Sequence, residues 1–549
     1  FENDQKNRFD LAFVEFTERG AVFDEDRRND VLEKIKKKAT ADGSGVVTVV
    51  YVHGWKNNAK ATNGNVLKFR ELLDTTARLM QTERDGALSE RPPRELVGVY
   101  VGWRGSSVEL PLIKQLSYWD RKAVAEEVGK GGVTEFLLRL EQILRDDEDP
   151  NKNLFLVTGH SMGAAVLLTG LNEIFLERLI DQGPDRLATS DNEQTRREKT
   201  PEGNEIGCVT TRPFGHGVVL LNPAIETSEM LQLKQLVANT CFGENQERFM
   251  HVISSNADSY TTSIFEVAQW LGLVVGRQHA EFTRNLGNSG EKRELTWHER
   301  KLDTNTIGNY KPFLTGYLFA HDRPDETDGV DAAAPPNSDP CTDPGDVYDY
   351  VAFKHASADC MDKHAEIDLE RHVPIGDNEP LAFIKTDGEF IGDHNDVFNE
   401  NVAAYLATIL AESRYKRALQ AEKNKIKAIE DMAAQIQRGL SAAYKSQEAS
   451  LSPETEATLD RLKENARDEG DRIWRLAAEG PRACHAREKT LDDFDFGACF
   501  HAYHWAFCAA SHSGKQSQAG EPSLRFDPDG PCHVYNDLTA TPVIAGAAQ

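Results

Sequence analysis

The sequence predicts an α/β chain: a mostly parallel, doubly wound sheet with helices on both faces, a long insertion, and a mainly helical C-terminal extension. Three observations lead there. Short runs rich in Val, Phe, Leu and Ile alternate with helical patterns of ten or more residues, the rhythm of a parallel sheet with helical crossovers. One such run, Leu154-Phe155-Leu156-Val157-Thr158, passes straight into Gly159-His160-Ser161-Met162-Gly163 and a small-residue helix. After about Thr408 the composition turns to Lys, Glu, Arg, Gln and Ala.

Residues 9–16 and 46–52 read as strands, with a charged helix over 26–38 between them. A helix over 65–80 sets Leu67, Leu72, Leu73 and Leu79 on one side. Residues 95–103 are a strand, and 121–144 are helical with a break near Gly129, Gly131 and Gly132. The helix after Ser161 runs to about residue 179. Polar residues 182–214 read as a surface insertion. Residues 217–221, 249–254 and a run within 380–386 supply further strands, and a helix follows over 397–410. Residues 259–378 interrupt the rhythm and contain an Asp- and Pro-rich loop at 322–346, as expected of a covering insertion. The sheet domain therefore occupies 1–410. In 411–549 a charged helix, a helix start at Ser452-Pro453-Glu454 and an aromatic-rich helix near 491–510 are expected.

The chain has 549 residues, room for two or three domains. Its 89 acidic against 63 basic residues give a formal net charge of −26, which repels nucleic acid and anionic membrane. Nucleic-acid binding is discounted on that ground. No apolar run reaches the roughly 18 residues of a membrane span; the nearest, 264–275, contains Glu266 and Gln269. The eight cysteines are even in number, and six of them follow residue 340. That clustering favours an exported, disulfide-stapled protein over a cytoplasmic one, with reduced buried thiols as the alternative. The start at Phe1 fits a removed leader or a trimmed terminus equally. Cys499, His501, His504 and Cys508 could in spacing bind zinc, but apolar Phe500, Trp505, Ala506 and Phe507 around them read as a buried helix. Phosphate-loop, HExxH and dinucleotide fingerprints are absent from the sequence, so no metal or organic cofactor is expected.

The stretch around Ser161 has the context of a nucleophile elbow, with glycines for a tight turn and a serine lifted out at the end of a strand. A serine hydroxyl needs a base, and the base needs an orienter. Asp258, just past the 249–254 strand, is the candidate acid. His394, in the loop after the 380–386 strand, is the candidate base. Glu226 is an alternative acid, His372 an alternative base, and Asp393 and Asp396 are competing orienters. The 46–52 strand ends in His53-Gly54-Trp55. The backbone N–H groups of Trp55 and Met162 are the candidate oxyanion donors. His53, Gly54 and Trp103 are expected to border the substrate, with His53 bracing its loop.

These residues together resemble the α/β-hydrolase superfamily, in particular serine esterases and lipases with a His-Gly-x oxyanion loop. The match covers roughly residues 9–260 and 380–410. The resemblance implies ester hydrolysis through an acyl-enzyme, with Ser161 as nucleophile, His394 as base and Asp258 as orienter. The expected partner is an ester substrate, in particular a lipid or other apolar ester. Acyl transfer on the same residues is one alternative. The other is a non-catalytic interaction protein that uses the C-terminal helices.

Overall fold

The computed structural model describes, with short gaps, residues 9–181, 208–265, 279–320 and 378–417. It also describes residue 373 and the short strands at 2–4, 197–199, 205–207, 353–356, 523–525, 533–535 and 542–544. The chain divides into two units, residues 1–78 with 93–413, and residues 79–92 with 414–549.

In the first unit ten strands form one sheet. They are β1 (Glu2–Asp4), β2 (Phe9–Glu15), β3 (Val46–Val52), β4 (Glu95–Gly102), β5 (Leu154–His160), β6 (Gly217–Leu221), β7 (Met250–Ser255), β8 (Gly316–Ala320), β9 (Phe353–Ala356) and β10 (Leu381–Thr386). Their spatial order is β1-β2-β4-β3-β5-β6-β7-β10-β8-β9. The eight strands from β2 to β8 in that order pair in parallel, and β1 and β9 close the edges antiparallel. Strands buried on both faces read as unbroken apolar runs. Val46–Val52 is such a run, buried at all seven positions.

The crossovers are helices α1 (Glu25–Ala39), α2 (Gly64–Gly86), α3 (Lys114–Val128), α4 (Thr134–Leu144) and α5 (Met162–Asp181). Helices α1, α3, α4 and α5 pack together over Val50, Val52, Val99 and Val157. Side chains alternate between faces along a strand, so Tyr51 points the other way, where it stacks on Phe69 of α2 and meets Phe398. The α3–α4 break falls at the expected glycines, as one π turn over Gly129–Val133.

Connection direction positions the site. From β3 the chain crosses to β4 on one side; from β5 it goes to β6 on the other. The crevice beyond the carboxyl ends of β3 and β5 is therefore a topological switch point, where open parallel sheets bind their ligands.

One expectation needs correction. Residues 259–378 do not simply interrupt the sheet. Gly316–Ala320 returns to it as a parallel strand beside β10, with Gly316 opposite Ile384, and β9 joins behind it. That strand is five residues long with no helical pattern before it, so periodicity gave no signal. A hairpin, Glu281–Leu286 against Arg293–His298, was likewise not anticipated. The 322–346 loop lies outside the described residues, as does most of 182–207. Among the described residues one disulfide is present, Cys208–Cys241, beside the Val209–Phe242 bridge. The other six cysteines, the zinc-spaced quartet and His372 also lie outside them.

In the second unit the described strands Ser523–Arg525, His533–Tyr535 and Pro542–Ile544 form a small antiparallel sheet. The helices expected across 411–510 lie almost wholly outside the described residues. No helix among the described residues is long and apolar enough to cross a membrane.

Candidate active site

Ser161 occupies the turn between β5 and α5 with φ 56°, a left-handed conformation unusual for a side-chain-bearing residue. Such strain persists only where its surroundings over-determine it. Here the Ser161 N–H donates to the Leu221 carbonyl at 3.0 Å, and the Ser161 carbonyl accepts from Ala164 and Ala224 at 3.1 and 3.2 Å. The flanking glycine is required by contact: a Cβ on Gly163 would lie 2.1 Å from the Val52 carbonyl oxygen.

Three loops at the carboxyl rim converge on this turn. His394, between β10 and the helical residues 400–407, accepts the Ser161 hydroxyl at Nε2, 2.9 Å away. Its Nδ1–H donates to Asp258 Oδ2 at 2.8 Å. Asp258 is wholly buried past the end of β7 and also accepts the Thr261 hydroxyl at 2.6 Å and the N–H groups of Tyr260 and Thr261. Burial alone would raise its carboxyl. The His394 hydrogen bond and charge and the Thr261 bonds outweigh it, and the group lies below the ordinary Asp range.

The third loop is His53-Gly54-Trp55. The His53 Nδ1–H donates to the Gly54 carbonyl at 2.8 Å, and His53 Nε2 accepts from the Trp103 N–H at 3.1 Å. A trans peptide sets its C=O and N–H in opposite directions. Holding the Gly54 oxygen therefore turns the Trp55 N–H away from His53. A Cβ on Gly54 would lie 2.9 Å from Ser161 Cβ, so this peptide rests directly on the elbow. Met162 opens α5, and its N–H belongs to the first turn, which has no acceptor within the helix. Burial pushes His53 down to about 4, so the ring is neutral.

The structure brings Ser161, His394 and Asp258 into one hydrogen-bonded line and packs Gly54 against it. His53 braces its loop as expected, and Trp103 packs against it. Both are buried beneath the loop, stacked at 7° interplanar angle, and the Trp103 indole N–H donates to the His53 carbonyl at 2.7 Å. They brace the loop from below. Glu226 is turned to Lys122, with an N–O distance of 2.8 Å. Asp393 and Asp396 bind backbone N–H groups of their own loop, at Asn395 and Gly392.

Several residues at the site had no sequence signal. Tyr260 is half exposed with its ring 5.1 Å from that of His394. Asn222 and His160 hold the His394 loop. Lys385 is buried near Asp258, bonds Asn309 and the Ser255 carbonyl, and is driven by burial down to about 8, against the pull of Asp258. His160 lies inside the elbow pattern at a position the pattern leaves free, and the other three belong to no motif. Among the described residues no group of three or more His, Cys, Asp or Glu is disposed to hold a metal ion.

No protein-family model and no curated protein matches this chain. Among solved structures it has a slight likeness to phospholipase PlaB from Legionella pneumophila, in complex with thio-NAD, at 12% identity and a TM-score of 0.18. The match covers 46% of this chain and 49% of that one, so it spans about half the length of that protein. A likeness this slight carries no argument about the fold or the activity.

Proposed function

We propose that the chain is an α/β-hydrolase-type serine hydrolase that cleaves carboxylic esters through an acyl-enzyme on Ser161, with residues 1–410 as the catalytic domain and 411–549 as an appendage. The support is the Ser161–His394–Asp258 line, with both imidazole nitrogens engaged at 2.9 and 2.8 Å. An alcohol, an imidazole and a buried carboxylate in that order make a serine nucleophilic.

In this reading Ser161 Oγ attacks the ester carbonyl carbon while His394 Nε2 takes its proton. Asp258 holds the Nδ1–H tautomer and stabilises the imidazolium. The Trp55 and Met162 N–H groups receive the developing oxyanion. Collapse breaks the bond to the alkoxy oxygen, and His394 returns the proton to the leaving alcohol. Water, deprotonated by His394, then attacks the acyl-serine and releases the acid. The substrate proposed is a lipid or other apolar ester, since half-exposed Tyr260 stands beside His394 and Trp55 beside Gly54.

A fluorophosphonate probe should label the wild-type chain and leave Ser161→Ala unlabelled. Equal labelling of both would reject the assignment. Asp258→Asn is expected to lower kcat by about 10⁴-fold with KM little changed, because the amide favours the wrong imidazole tautomer. Steady-state kinetics on p-nitrophenyl butyrate measure it. A loss under tenfold would mean Asp258 only caps the turn at Tyr260.

A further inference from the structure

We propose that His160, the residue before the nucleophile, is a positioning residue that fixes where the base stands by holding its backbone. The inference rests on the serine-hydrolase reading above.

The His160 Nε2–H donates to the His394 carbonyl at 2.6 Å. Asn222, at the end of β6, donates through Nδ2 to the same carbonyl and to that of Asp393, each at 3.3 Å. Asn222 is fixed in turn. Its Oδ1 accepts the Ser255 N–H at 3.0 Å, its own N–H donates to the Ile253 carbonyl at 2.8 Å, and its φ is 42°. Two adjacent strand ends thus grip one carbonyl. One of the two grips comes from the residue bonded to Ser161, so nucleophile and base are tied through a single short rigid link.

His160 suits this task and little else. It is buried, and its Nδ1 lies against Gly54 with no hydrogen-bond partner among the described residues. The ring is thereby committed to the Nε2–H tautomer, the one that donates. Burial, then the neighbouring His394, pushes it down to about 3, so it stays a neutral donor wherever His394 works as a base. Its low basicity makes it a poor base for Ser161, and its Nε2–H is committed to a backbone oxygen. The rings of His160 and His394 lie 4.9 Å apart, so loss of the link lets the base swing toward its neighbour. A misplacement near 1 Å at a reacting group costs on the order of 100-fold in rate.

The test uses the full chain with p-nitrophenyl butyrate as substrate. His160→Leu should lower kcat by about 30- to 100-fold with KM within twofold. His160→Gln, which keeps an amide N–H near the Nε2 position, should recover kcat to within about fivefold of wild type. Asn222→Gly keeps the left-handed backbone, removes the second donor, and should lower kcat about five- to tenfold. A His160→Leu chain within threefold of wild type, a Gln variant as impaired as the Leu variant, or an unchanged kcat in Asn222→Gly would overturn the proposal. Fluorophosphonate labelling separates the two levels. A wild-type chain that takes no label at Ser161 defeats the hydrolase reading and the positioning role with it. A labelled wild type with an unaffected His160→Leu defeats the positioning role alone.

Discussion

His394→Ala is expected to lower kcat for ester hydrolysis by about 10⁶-fold, and adding Ser161→Ala to it should cost little more. In the proposed mechanism nucleophile and base act as one unit, so removing either abolishes the same step. The size of the loss follows from what remains. Two other imidazoles lie near Ser161, and neither is free to substitute. His160 has its Nε2 on the His394 carbonyl, and His53 has one nitrogen on the Gly54 carbonyl and the other on the Trp103 N–H. Burial also lowers both, His53 to about 4 and His160 to about 3, so each is a far weaker base than an ordinary imidazole. The residual rate should therefore be that of the oxyanion donors and binding alone. Single and double variants assayed on p-nitrophenyl butyrate decide the matter. If His394→Ala stays within a hundredfold of wild type, another base serves Ser161. Multiplicative single losses would instead mean that the two residues act in separate steps.

Much of this was legible because it is local. The elbow is a contiguous pattern, and its glycines are dictated by close contacts, Gly159 with Gly163 and Leu167, and Gly163 with Val52 and His53. The unbroken apolar runs at β3 and β4 announce strands buried on both faces. The juxtaposition of Asp258 and His394 with Ser161 was legible because each follows a recognisable strand. Strand β8 was missed because its five residues sit in a segment with no periodicity around them. The buried packing of Trp103 was not legible for a different reason. An aromatic ring at a strand end is equally suited to line an opening or to lie beneath a loop. Here the His53 carbonyl captured its indole N–H. Asn222 and His160 were invisible as holders of the base because their partner is a carbonyl some 170 or more residues away in sequence. Backbone acceptors leave no trace in a pattern of side chains.

The unfolding free energy is expected to fall by about 6 kcal/mol between pH 7 and pH 4, most of it from two imidazoles. His53 and His160 are wholly buried and neutral, lowered from 6.5 to about 4 and about 3. The unfolded chain binds protons at these sites below about pH 6.5, and the folded chain does not. The stability slope with pH is positive wherever the unfolded state holds more protons. Each ring therefore costs roughly 3 kcal/mol by pH 4. Asp258, lowered in the folded state, adds a loss of the same sign only as pH falls below its unfolded value near 3.8. Glu226 works the other way, since burial raises its carboxyl despite Lys122, but it is a single group against two. Lys385, at about 8, acts only in alkali. A loss near 6 kcal/mol is comparable to the whole stability of an ordinary domain, so the sheet unit should unfold on mild acidification. Urea titrations from pH 7 to pH 4 would show it, and His160→Gln should recover about half of the loss. A urea midpoint unchanged across that range would mean that both buried rings accept protons in place, although His160 Nδ1 has no hydrogen-bond partner among the described residues and His53 Nε2 would have to give up the Trp103 N–H.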